Sequence, residues 1–82
     1  MATIKELDQN DTREYVPVAQ LGEKPEYADV SASGKAALLD APRHLGQFWA
    51  PISILRAHKA SEVYGYELLA PVWFLRENGV AY

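Results

Sequence analysis

His44 and His58 are the first residues to weigh for chemistry, because histidine is the usual general acid or base near neutral pH. Neither stands at a recognisable spacing from a serine, an aspartate or a second metal ligand. Both are therefore expected at the surface or its boundary. The carboxylates of Glu62, Glu67 and Glu77 form no pair suited to general acid and base catalysis.

The sequence also lacks the motif of a phosphate-binding loop and the cysteine of a thiol site. The segment from Ser31 to Lys35 reads Ser-Ala-Ser-Gly-Lys, which lacks the first glycine and the spacing of a phosphate-binding loop. The chain has no cysteine, and hence no disulfide, no thiolate chemistry and no cysteine-based zinc site. We expect a protein that is not an enzyme and that holds neither a cofactor nor a metal.

The aromatic residues are better candidates for a functional surface. Residues 47 to 75 contain both tryptophans and both phenylalanines, as the adjacent pairs Phe48-Trp49 and Trp73-Phe74. Neighbouring side chains point to opposite faces of a strand and lie about 100° apart on a helix, so one member of each pair should be partly exposed. Exposed aromatic patches mark surfaces for partners or self-association. These four residues are the predicted partner-binding site, and the alternative is that all four wrap a small core.

A second candidate surface is basic. The densest group of basic residues consists of Arg43, His44, Arg56, His58 and Lys59. The formal net charge of −3 works against general binding to a phosphate backbone, since that binding draws its affinity from Lys and Arg. An anion- or nucleic-acid-binding rim at Arg43, His44, Arg56 and Lys59 is therefore the alternative, and the charge does not favour it.

Length and composition indicate one small globular domain of 82 residues with 49% hydrophobic and 23% charged side chains. Residues 1–13 combine Ile4 and Leu7 with several turn formers, so we expect a mobile N-terminal segment followed by a single domain at residues 14–82. The polar start predicts no signal peptide, and no apolar run approaches the roughly 20 residues of a membrane helix. A cytoplasmic protein without membrane contact is expected.

The first half of the chain predicts one strand and one helix. Residues 14–21 are rich in β-branched and aromatic side chains, and Pro17, which cannot donate a ladder hydrogen bond, places this strand on a sheet edge or makes it short. Residues 29–40 predict a short helix whose apolar body is Ala36 to Leu39 and which ends at Pro42.

The second half predicts an antiparallel pair of strands and a second helix. One buried strand starts at Pro51, a connection covers residues 57–62, and a second strand covers residues 63–69. Pro71 begins a helix that Gly79 stops. The predicted fold class is α+β, a small, mainly antiparallel sheet with two short helices.

Three short phrases resemble the N-terminal domain of the ParB/sulfiredoxin-like superfamily. They comprise Tyr15, Val16, Pro17, Val18 and Leu21, then Gly46, Gln47, Pro51 and Ile52, and finally Gly65, Tyr66, Glu67, Leu68, Leu69 and Ala70. The family continues with a glycine and basic residues that bind phosphate at a helix N-terminus. This chain has Pro71, Val72 and Trp73 there instead. The resemblance implies a nucleotide- or DNA-binding module. The residues that bind phosphate in the family are not matched in this chain.

Our leading hypothesis is a small non-enzymatic interaction or regulatory module. It binds a protein partner, or itself as a homo-oligomer, through the aromatic surface of Phe48, Trp49, Trp73 and Phe74. The alternative is a ParB-like nucleotide- or DNA-binding module.

Overall fold

The computed structural model describes residues 1–41 and 43–82, and the chain is mainly sheet within them. The strands are β1 Ala2–Thr3, β2 Tyr15–Gly22, β3 Glu26–Tyr27, β4 Ala36–Leu39, β5 Phe48–Pro51, β6 Arg56–Ser61 and β7 Gly65–Pro71, followed by the helix α1 Val72–Glu77. A 3-10 turn at Ile52–Ile54 joins β5 to β6.

The main sheet has the order β2-β7-β6, and all its strands are antiparallel. The N-terminal segment extends it, because Glu6 pairs with Ala57 of β6 in a parallel bridge. Leu68 and Ala70 of β7 are buried in the core on one face of this sheet. β2 lies at the edge, where Pro17 needs no ladder partner on its outer side. The predicted edge strand at residues 14–21 is thus confirmed.

A second, two-stranded sheet of β4 and β5 contributes to the same core. Ala37, Leu39 and Ala50 are buried in that core, and Phe48 packs against it. Leu75 of α1 is fully buried in the same cluster. The helix and the second sheet therefore share one core with β7.

The predicted α+β fold with two short helices is wrong, because α1 is the sole α-helix among the residues that the structure describes. Ala36 to Leu39, predicted as a helical body, form β4 and pair with β5. Helix propensity is a weak preference, and here pairing buries every second residue of the segment. The predicted stop at Pro42 lies outside the described residues.

Two further boundaries differ from the prediction. Pro51 ends β5 instead of beginning a strand, and residues 57–62, predicted as a connection, supply most of β6. The polar side chains of His58 and Lys59 hid this strand, since both are exposed. The antiparallel pairing predicted for a strand starting at Pro51 is wrong, because Ile52–Ile54 form the 3-10 turn and the strand that pairs with β7 is β6. The helix after Pro71 is confirmed, and Gly79 follows it at a φ of +66°.

The N-terminal segment contributes to the core. Ile4 is fully buried, and its backbone N–H donates to the carbonyl of Pro25 at 2.7 Å. β1 pairs with β3 just before it. The mobility expected for residues 1–13 stays a prediction, and the burial of Ile4 offers a direct test of it.

The substitution Ile4→Ala should lower the free energy of unfolding by about 2–5 kcal/mol, because it leaves a cavity in the core. Met1→Ala, at an exposed position in the same segment, should change it by no more than about 0.5 kcal/mol. Urea unfolding followed by circular dichroism measures both values. A small effect of Ile4→Ala would instead support a mobile segment.

Substitutions at Gly65 and Gly34 distinguish the cost of a steric overlap from the cost of backbone strain. Both have positive φ angles, +75° and +73°, but a Cβ at Gly65 would overlap the carbonyl of Gly22, whereas a Cβ at Gly34 meets open space. Gly34→Ala should therefore cost about 1 kcal/mol of unfolding free energy and Gly65→Ala about 3 kcal/mol or more. Equal urea midpoints for the two variants would contradict this close approach of β2 and β7.

Candidate functional site

The most apolar candidate site lies on the outer face of the β4–β5 sheet. Its register places Leu38 opposite Trp49 and Ala36 opposite Pro51, so these four side chains share one face. We call them the Trp49 surface. Trp49 is 53% exposed, Pro51 is exposed, and Leu38 and Ala36 are half-buried. None of the four carries a charge. Leu38 was not predicted as a neighbour of Trp49, because its segment was predicted to be a helix.

Phe48 lies on the opposite face of β5 and packs against the core. The ring of His44 contacts it edge-on, with the ring centroids 5.7 Å apart. His44 is half-buried by this contact. The expectation that one member of the Phe48-Trp49 pair faces outward is confirmed.

The second aromatic pair divides in the same way on α1. Phe74 packs against the core and Trp73 is 44% exposed, with their rings edge-to-face at 6.0 Å. Trp73 lines a shallow cleft together with Arg13, Glu14 and Arg76. Charged side chains therefore flank Trp73, whereas the Trp49 surface is uncharged. Partner binding by these aromatic residues stays a prediction.

The predicted basic rim is divided by the strand register. Arg56 lies opposite Leu69 and Lys59 opposite Tyr66, three positions apart on β6, so the two basic side chains point to opposite faces of the sheet. Arg56 donates to the carbonyls of Ser53 and Leu55.

The remaining basic candidates are placed elsewhere or engaged locally. The ammonium of Lys59 lies 3.4 Å from the carboxylate of Glu62. Arg43 and His44 stand in the loop before β5, where Arg43 is exposed. Nucleic-acid binding by Arg43, His44, Arg56 and Lys59 stays a prediction, and Arg56 and Lys59 do not share one face of the sheet.

A cleft beside Arg56 was not indicated by the sequence pattern. It is lined by Lys5, Asp8, Asn10, Asp11, Arg13 and Arg56. Lys5 and Arg13 come from the N-terminal segment, whereas Arg56 is more than forty positions further along the chain. The parallel bridge between Glu6 and Ala57 that brings them together has no local signature in the sequence. Two carboxylates in the same cleft offset most of the positive charge.

Asp11 holds Arg13 in place within this cleft. Its carboxylate accepts from the Arg13 backbone N–H at 2.9 Å, from Nε at 3.2 Å and from Nη2 at 3.0 Å. It also accepts from the hydroxyl of Tyr15 at 2.7 Å. The hydrogen bonds from Arg13, with a further one from Tyr15, hold the pKa of Asp11 far below its usual range. Burial of the ring and the bond to Asp11 raise the pKa of Tyr15.

Comparisons with known proteins identify no relative, since no family model, curated protein or solved structure matches the chain. Within residues 1–41 and 43–82, no group of three or more His, Asp or Glu side chains is arranged to hold a metal ion. Over the same residues, no helix has the length and apolar character needed to cross a bilayer.

The lowered pKa of Asp11 predicts a pH dependence of stability. The unfolded chain takes up the proton near the ordinary aspartate pKa of about 3.9, before the folded chain does, so acid favours unfolding. The stabilisation is present above that pH and is lost as the pH falls through about 4 towards 2. As the pH is lowered over this range, the urea midpoint of the wild type should therefore fall more steeply than that of Asp11→Asn.

Asp8→Asn supplies the control, because Asp8 lines the same cleft and its carboxylate accepts from the backbone N–H of Asn10 at 2.9 Å, with no side-chain donor among the described residues. Its urea midpoint should follow the wild type over this pH range. Equal pH slopes for the wild type and Asp11→Asn would contradict the role given to the Arg13 contacts.

Proposed function

We propose that this protein is a small non-enzymatic interaction module that binds a protein partner, or a second copy of itself, through the Trp49 surface. The observation that carries the proposal is the exposure of Trp49 on a sheet face without charge. A cytoplasmic location belongs to the proposal, supported by the lack of cysteine.

The energetics of an exposed tryptophan support this function. Tryptophan has a large apolar area and few rotatable bonds, so its burial against a partner releases much water at a low entropic cost. The core does not require Trp49, because Phe48, Leu39 and Ala50 fill the inner face of the same sheet. More than half of Trp49 is exposed, so that part of the side chain is available to a partner.

The chemistry of the surface favours a protein over a polyanion. Binding to a phosphate backbone draws its affinity mainly from Lys and Arg, and the Trp49 surface contains neither. Trp73, flanked by Arg13 and Arg76, is proposed as a separate contact with a more polar part of a partner. The ParB-like alternative is supported only by the sequence resemblance.

Replacing Trp49 with serine should weaken the interaction strongly and leave the fold intact. Truncation of a central interface tryptophan costs about 2 kcal/mol or more, which is roughly thirtyfold in affinity. Binding is measured by capture on the immobilised chain and by light scattering, each at low and high salt. Little dependence on salt is expected, because the surface is uncharged.

Tyr64→Ser is the matched control, since Tyr64 is an exposed aromatic residue at the β6–β7 turn. It should retain the interactions of the wild type. The proposal fails if Trp49→Ser keeps every interaction of the wild type. Binding of DNA that falls steeply with salt and weakens in Arg56→Ala would favour the alternative function.

A further inference from the structure

β5 has an open backbone edge on the side away from β4. The N–H of Ile52 donates to the carbonyl of Lys35, the residue before β4, at 2.9 Å. Pro51, as a proline, has no N–H. Because antiparallel ladders bond every second residue, the backbone groups of Pro51 and Trp49 point away from β4. Among the residues that the structure describes, no other segment pairs with this edge.

We propose that β5 pairs antiparallel with β5 of a second copy, with Trp49 opposite Trp49 across a two-fold axis. This inference rests on the proposed function and names its partner. Each Trp49 N–H then donates to the Trp49 carbonyl of the second copy, and each Gln47 N–H donates to the carbonyl of Pro51. The missing N–H of Pro51 leaves only the Gln47 carbonyl to be satisfied by water.

Pairing around this axis also unites the two Trp49 surfaces. The β4–β5 sheets of the two copies become one sheet with the order β4-β5-β5-β4. Both Trp49 side chains lie side by side on its outer face, with Leu38 of each copy behind them. Aromatic pairs directly across two strands stabilise a sheet, so the axis lies at the most favourable position.

Leu45 provides a second reason to infer a second copy. Its side chain is 96% exposed and has almost no intramolecular cover. The two-fold brings the loop before β5 beside the turn after β5 of the other copy, four residues beyond Trp49 on either side. That turn borders a mainly apolar cleft lined by Lys35, Pro51, Ile52 and Ser53. Each copy thus offers both the apolar side chain and the cleft that receives it.

The charges and the size of this contact are consistent with a weak dimer. The chain carries a net charge of −3, but no charged side chain lies on β5 or the Trp49 surface. Lys35, in the cleft that receives Leu45, has the opposite sign to the net charge, so repulsion at the contact is small. Natural edge strands are usually protected by charged residues, and here only Pro51 interrupts the edge. A short strand pair with these side chains buries less than about 1,200 Å² in total, which is typical of a transient interface.

The first test is sedimentation equilibrium of the wild-type chain, which should show a reversible monomer–dimer equilibrium. Leu45→Ser should raise the dissociation constant about tenfold, because the leucine is no longer buried. Val63→Ser is the control, since Val63 is 85% exposed at the β6–β7 turn and should leave the constant unchanged. A monomer at every concentration, or equal effects of both variants, overturns the inference.

The second test uses cysteines to check the register. Gln47 of one copy should lie opposite Pro51 of the other, where paired Cα atoms are about 5.5 Å apart and within disulfide range. A mixture of Gln47→Cys and Pro51→Cys chains should cross-link in a glutathione buffer, while each variant alone should not. Trp73→Cys, mixed with either variant, is the control and should stay unlinked.

The outcomes separate this inference from the proposed function. A dimer without the 47-to-51 cross-link overturns the β5 pairing and leaves the interaction module standing. A monomer whose capture of another protein is lost in Trp49→Ser has the same consequence. If neither self-association nor any other interaction depends on Trp49, both the inference and the proposed function fail.

Discussion

The register of β7 is the constraint on which the rest of the structure depends. β7 pairs with β2 on one side and β6 on the other, and it leads directly into α1. Its first residue, Gly65, faces the backbone of Gly22 so closely that no side chain fits between them. This contact brings the end of β2 against the start of β7, and the ladder continues through two register shifts to Leu68 and Ala70 in the core. The second sheet then completes the core that these residues begin.

The sequence predicted the elements whose signals are local. Pro17 restricted β2 to an edge, and Pro71 with Gly79 bracketed α1, because each of these residues limits its own backbone. The Ala36 to Leu39 segment carried no such signal, since a run of alanine and leucine fits a helix or a buried strand equally well. Its pairing with β5, across the intervening loop, and its bridge to Val30 make it a strand.

The same distinction applies to the candidate sites. Adjacency predicted that one member of each pair, Phe48-Trp49 and Trp73-Phe74, would be exposed. Adjacency could not decide which member, and the structure exposes both tryptophans. The neighbours of Trp49 depend on strand register, and the cleft beside Arg56 depends on a parallel bridge to the N-terminal segment. Such contacts join residues distant in the chain, and no spacing in the sequence reports them.

The edge of β4 that faces away from β5 is already hydrogen-bonded to Asp29 and Ser31, which limits where the second sheet can accept another strand. The N–H of Ser31 donates to the carbonyl of Ala36 at 2.8 Å, and the N–H of Leu38 donates to that of Asp29 at 2.9 Å. These bonds cover β4 on the side away from β5, so any added strand joins at β5. When that strand is another β5, the far side of each β4 is already closed. Growth of this sheet then ends at a closed pair and does not continue into a fibre.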